Sequence, residues 1–135
     1  MNIFTLLLLG LLVAITSCNP AYRSFAQFSI SKDARIWKAD SCGIGNYRSK
    51  ISLNVQKKEK IFIGIDSYSL TSIIGEPEFV VNPSMLAYPN ALFYEYSLSS
   101  LESINGKCGN PITKSLSFVI DTNTNKVIGV EVFIY

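Results

Sequence analysis

Between Ile61 and Pro77 the hydrophobic pattern has helical spacing. Leu70, Ile73 and Ile74 recur at i, i+3 and i+4 and make one apolar stripe. Asp66 suits the N-cap, where a carboxylate accepts from the free amides of the first turn and faces the positive helix end. Ile65 before the cap and Leu70 after it have hydrophobic-staple spacing. Gly75 can take positive φ past the last turn, and Pro77 cannot continue a helix. The pattern predicts a helix over 66–74, too short to be stable alone and therefore laid on a sheet.

After Pro77 the period becomes two. Leu92, Tyr94, Tyr96 and Leu98 point one way, and Phe93, Glu95 and Ser97 the other. Leu116, Phe118 and Ile120 make one face of a second strand, and Ile128, Val130, Val132 and Ile134 one face of a third. Asp121–Asn125 is built of residues that bond their own backbone and tolerate positive φ, which predicts a hairpin. Glu78–Val81 offers a short edge strand, and Ser99–Thr113 reads as a long polar loop. Tyr47–Val55 fits two periods: Tyr47, Ile51 and Val55 suit a helix, while Ile51, Leu53 and Val55 alternate like a strand. The polar run Gln56–Lys60 extends a helix naturally, and a helix is the reading adopted. The expected fold is α+β: two short helices on one face of a three-stranded antiparallel meander, over residues 36–135.

The N-terminus changes the picture. Ile3–Ile15 is an apolar run broken only by Thr5 and Gly10, too short for a span of about twenty residues but right for a signal-peptide core. Ile15-Thr16-Ser17-Cys18 follows and resembles a bacterial lipobox: an aliphatic residue three before a cysteine, with small residues between. The resemblance implies a lipoprotein signal peptide over 1–17, cleaved after Ser17, and acyl chains on Cys18. The n-region carries no Lys or Arg, and the alternative is an ordinary signal peptide with a chance cysteine at the cut. Residues 18–35 read as a tether, polar and small with scattered aromatics. No acidic residue directly follows Cys18, so an Asp-type inner-membrane retention signal is absent and the expected location is the periplasm-facing leaflet of the outer membrane. Each buried methylene adds roughly 0.8 kcal/mol, so two or three acyl chains anchor a protein stably.

Lipidation of Cys18 leaves Cys42 and Cys108 as an even pair, and an oxidising export compartment permits a bridge between them. Two free thiols or a redox pair are the alternatives; redox pairs usually show C-x-x-C spacing, absent here. The stretch Ile36–Arg48 gathers the only Trp, Trp37, with Asp40, Cys42 and Arg48. Trp and Arg anchor interfaces, but more often a lone Trp packs at a core edge and an Asp–Arg pair pins a loop. Arg48, Lys50, Lys57, Lys58 and Lys60 form a basic run, most simply a solvated face.

Gly64, Asp66, Leu70, Ile74, Gly75 and Pro77 together resemble the G-x-T-x-x-x-V-x-x-x-L-G-x-P signature of the SmpA/OmlA, or BamE-like, domain, with Asp66 at the signature Thr. Leu92–Tyr96 sits where that family has an aromatic strand, and Leu116–Asp121 with Lys126–Ile128 matches its closing hairpin. The resemblance covers about residues 48–135. It implies a two-helix, three-strand fold in a small lipoprotein of outer-membrane protein assembly, similar also to a half-module of β-lactamase inhibitor proteins. Cys42, Cys108 and the Trp37 loop lie outside that pattern.

Chemistry is sparse. The chain of 135 residues has no histidine, which removes His triads, His general bases and His metal ligands. Glu76 and Glu78 flank Pro77, a usual turn arrangement, and no phosphate loop or G-x-S-x-G occurs. The expectation is a non-enzyme without cofactor or metal. A net charge of +2 is too mild to imply a nucleic-acid partner. Expected partners are the membrane, through the lipid, and an envelope protein met by Phe93 and Phe133 of the outer sheet face (with Glu95, Val119 and Glu131) or by the loop of Trp37 and Arg48. The alternative is an inhibitor or ligand-binding module, for which one module offers a small contact area.

Overall fold

The computed structural model describes residues 20–82, 88–99, 103–104, 107–108 and 113–135. The expected signal peptide, the lipobox-like stretch and Cys18 lie outside them. The chain is α+β. Four helices come first, α1 (Pro20–Ser29), α2 (Lys32–Ala39), α3 (Tyr47–Lys57) and α4 (Ser67–Ile74), followed by β1 (Phe79–Val81), β2 (Ala91–Ser99), β3 (Ser103–Ile104), β4 (Lys107–Cys108), β5 (Lys114–Asp121) and β6 (Lys126–Ile134). An antiparallel sheet has the order β1-β2-β5-β6, and β3 and β4 form a separate two-stranded ribbon. The described residues thus carry four helices where two were expected and a four-stranded sheet where three strands were. None of the described helices is long and apolar enough to cross a membrane.

The two extra helices occupy the expected tether and Trp loop. The first described residue, Pro20, is already within α1. Phe25 and Phe28, at i and i+3, are buried against Phe62 with ring centroids 6.0 and 5.1 Å away. Residues 20–35 are therefore part of the folded unit, because two aromatic rings gain more from burial than a solvated tether does. In α2, Ser31 caps by accepting from the Ala34 N–H at 3.2 Å, and Ala34 and Trp37 turn inward.

Rings run through the core. Phe62 meets Phe118 at 5.1 Å, Phe118 meets Tyr96 at 5.8 Å, and Tyr96 meets Trp37 at 6.0 Å, all edge-to-face. Such pairs add about 0.5–1.5 kcal/mol each beyond area burial. This spine joins α1, the turn before α4, β5, β2 and α2.

Helix α4 forms as its pattern predicts. Asp66 accepts from the Ser69 N–H at 2.8 Å, Ile65, Leu70 and Ile74 are buried, and Ile73 packs beside them. Gly75 ends the helix at φ 92°, ψ 171°, positive φ but outside the left-handed helical well. Helix α3 also forms, though its buried face is Arg48, Ser52 and Val55 while Tyr47 is exposed. Its polar extension stops at Lys57 and tightens into a 3-10 turn over Glu59–Ile61.

The expected hairpin closes through Asp121, whose carboxylate accepts from the Asn123 N–H and the Thr124 hydroxyl, with Asn125 at φ 55°. One face differs. A bulge between Val119 and Ile120 pairs Ile120 with Val127 while Phe118 pairs with Val130. The extra residue flips the side-chain parity, so Val127 is buried and Ile128 is half exposed. Ile134, at the end of the strand, is exposed as well.

Candidate functional site

The strongest concentration of polar contacts sits where α2, α3 and β2 meet. Asp40 ends α2 and folds the next turn onto itself: its carboxylate accepts from the Gly45 N–H at 2.7 Å and the Arg48 N–H at 2.9 Å. Between Asp40 and Gly45, Cys42 and Gly43 take φ of 61° and 65°. Gly43 has a second reason to be glycine, since a Cβ there would come within 2.5 Å of the Leu98 backbone carbon. Side chains with a Cβ avoid such a contact and this φ alike.

That turn places Arg48 inside the protein, 2% exposed. Its Nε donates to the Trp37 carbonyl at 2.9 Å, and its Nη1 pairs with Glu78 at 2.6 Å. The guanidinium lies 5.4 Å from the Trp37 ring centroid and 5.5 Å from that of Tyr96, a cation between two π faces. Glu78 is fully engaged. It also accepts from the Cys42 N–H at 3.1 Å and the Ser97 N–H at 3.0 Å. A buried ion pair is tolerated when hydrogen bonds meet its remaining valences, and here they do. Burial pushes the Tyr96 phenol well above its ordinary pKa, and its hydroxyl donates to the Gly75 carbonyl at 2.8 Å.

Cys42 and Cys108 stand at disulfide distance, with Cα atoms 5.1 Å apart. They and Glu78 offer three donor atoms within 4.8 Å of one another. As a metal site the set fits poorly, because the sulfurs face each other and the carboxylate is held by Arg48 and two amides. A cavity of about 500 Å³ opens beside the pair, lined by Ser41, Glu76, Pro77, Glu78 and Phe79 as well as the cysteines.

The opposite sheet face is different. Phe93 and Phe133 meet at 5.5 Å, flanked by Tyr88 and Tyr135. Glu95 is only 9% exposed there. No cation pairs with it among the described residues, and its carboxylate accepts from the Tyr135 hydroxyl at 3.1 Å. Desolvation raises its pKa above the ordinary value, against the lowering influence of the Tyr135 and Ser117 hydroxyls. Tyr88 donates to Glu131 at 3.0 Å, and that contact raises the phenol pKa.

Of the surface residues expected from sequence, Trp37 and Arg48 are core, not interface: a residue 1–2% exposed has no area to offer a partner. An Asp–Arg contact does pin the loop, but through the Arg48 backbone, while its side chain pairs with Glu78 instead. Phe93 and Phe133 do lie on the outer face, Phe93 mostly buried by its neighbours. Gly64 donates to the Val127 carbonyl at the sheet edge, and Asp66, Leu70, Ile74, Gly75 and Pro77 shape α4 and its exit. Glu78 escaped the sequence reading, since a carboxylate after proline looks like a turn residue. Set against protein-family models, curated proteins and solved structures, the chain matches none.

Proposed function

We propose that the protein is a lipid-anchored, non-catalytic interaction module of the bacterial cell envelope. In this reading Cys18 holds it on the periplasm-facing leaflet of the outer membrane, and an SmpA/OmlA-like domain serves as a scaffold in outer-membrane protein assembly. The observation that carries the reading is the state of the chemically capable side chains. Arg48, Asp40 and Glu78 are each spent on internal bonds, so this cluster suits architecture better than turnover. The cysteine pair at disulfide distance supports an oxidising compartment. Helix α1 starting at Pro20 leaves almost no spacer after Cys18, which would hold the domain against the bilayer.

The test has two arms. Cys18→Ala is expected to move the protein from the membrane to the soluble fraction, and mass spectrometry of the wild type to find acyl chains on Cys18. Crosslinking in intact cells is expected to recover an envelope protein. An unmodified Cys18, or crosslinking that recovers no partner, would overturn the reading.

A further inference from the structure

Among the described residues, one edge of the sheet is covered and the other has no partner strand. Along β6, Gly64 donates to the Val127 carbonyl, Val127 donates to the Ile65 carbonyl, Ser67 donates to the Asn125 carbonyl, and Glu59 accepts from the Val130 N–H. Along β1, Phe79, Val80 and Val81 are 40%, 57% and 39% exposed. Among the described residues, the backbone of this strand bonds only towards β2. A strand paired on one side points alternate N–H and C=O groups outward, and proteins usually guard such edges with Lys, Pro or a bulge. Phe79–Val81 carries no Lys, Pro or bulge, and its length of three residues is what limits it as an edge.

The cavity beside the cysteine pair opens at the start of this strand. Glu78 on its wall is neutralised by Arg48. Glu76 is exposed and, among the described residues, forms no ion pair. A short apolar edge therefore runs into a pocket where, among the described residues, Glu76 has no ion-pair partner. We propose that β1 is a docking edge for an extended segment of a partner protein, apolar at alternate positions and carrying a Lys or Arg that enters the cavity beside Glu76. The added strand gains affinity from main-chain hydrogen bonds, and the cation fixes its register. This deepens the interaction reading above by naming the chemistry of the partner, and rests on it for there being one.

The probe is an acetylated, amidated peptide alternating Thr and Val with one terminal Lys. It is titrated into the full chain in detergent micelles and followed by the amide shifts of Phe79–Val81. Binding localised to those amides is expected. N-methylation of alternate peptide amides should weaken it by about tenfold, because each lost donor removes a main-chain bond. Replacing the peptide Lys by Glu should weaken it about fivefold, and Glu76→Lys should reverse that preference. Glu76 is exposed, so the variant keeps the fold. Shifts that ignore N-methylation or the charge swap, no binding at all, or occupation of the edge by a second copy of the chain would each overturn the proposal. None of these arms uses the lipid, so failure here is distinguishable from failure of the anchor.

Discussion

The two faces of the sheet each bury a carboxylate, and they treat it oppositely. On the helix side Glu78 is matched by two backbone amides and by a guanidinium that itself lies between two rings. On the far side Glu95 has a phenol hydroxyl and no cation among the described residues. The first arrangement fixes one geometry, because the carboxylate and the guanidinium are each held by several directional bonds. The second leaves a charge under-compensated on the face without helices. Stability is concentrated on one side, and freedom to adapt is left on the other.

The sharpest way to break this contrast is to remove the compensating charge. Arg48→Met leaves Glu78 buried without its cation and should cost about 3–5 kcal/mol, read as the midpoint of urea unfolding. A loss below about 1 kcal/mol would mean that Glu78 reaches water and the helix side is not specially built. The cysteine pair belongs to the same node. Cys108→Ala should cost about 2–4 kcal/mol under oxidising conditions, and a reductant should bring the wild type down to the variant. Equal stability with and without reductant would show that the sulfurs are not bonded.

Much of the helix side can be read from the sequence, and the reasons for success and failure differ. Asp66 to Pro77 is legible because every signal is local: cap, stripe, stop. The alternation of Leu92–Leu98 is legible for the same reason. Arg48 is not, since its burial depends on Glu78, thirty residues on, and on a loop whose positive φ at Cys42 follows from no residue preference. Helix α1 was hidden by polar neighbours around Phe25 and Phe28, and its aromatic i, i+3 pair was the signal to follow. The bulge at Val119/Ile120 leaves no mark in a two-residue period, so the face of Ile128 came out reversed. In the candidate site, sequence brought Cys42 and Cys108 together and missed the Arg48–Glu78 ion pair beside them.

A smaller test concerns the cap of α4. Asp66→Ala should cost about 1 kcal/mol at neutral pH. Hydrogen bonds from the Ser69 N–H and hydroxyl lower the Asp66 pKa below its ordinary 3.8. A lowered carboxyl pKa contributes stability above the unfolded value and loses it as pH falls through the folded one. The gap between wild type and variant should therefore close below about pH 3.8; a gap that persists at pH 2 would assign the loss to packing.

Glu95 gives the smallest effect and the opposite sign. Its pKa is raised by desolvation from the ordinary 4.5, so above that pH the unfolded chain releases its proton first and the wild type loses stability as pH rises through the window. The groups facing it are the Tyr135 hydroxyl, Ser115 beside that hydroxyl, and Ser117 and Phe79 across the neighbouring strands. None is a cation that would cancel the penalty. Glu95→Gln keeps an acceptor for Tyr135 and removes the charge, and should gain up to about 0.5 kcal/mol at pH 7 and nothing below pH 4. A variant less stable at pH 7 would mean that the ionised carboxylate is compensated after all, and the two faces would then differ in shape and not in electrostatics.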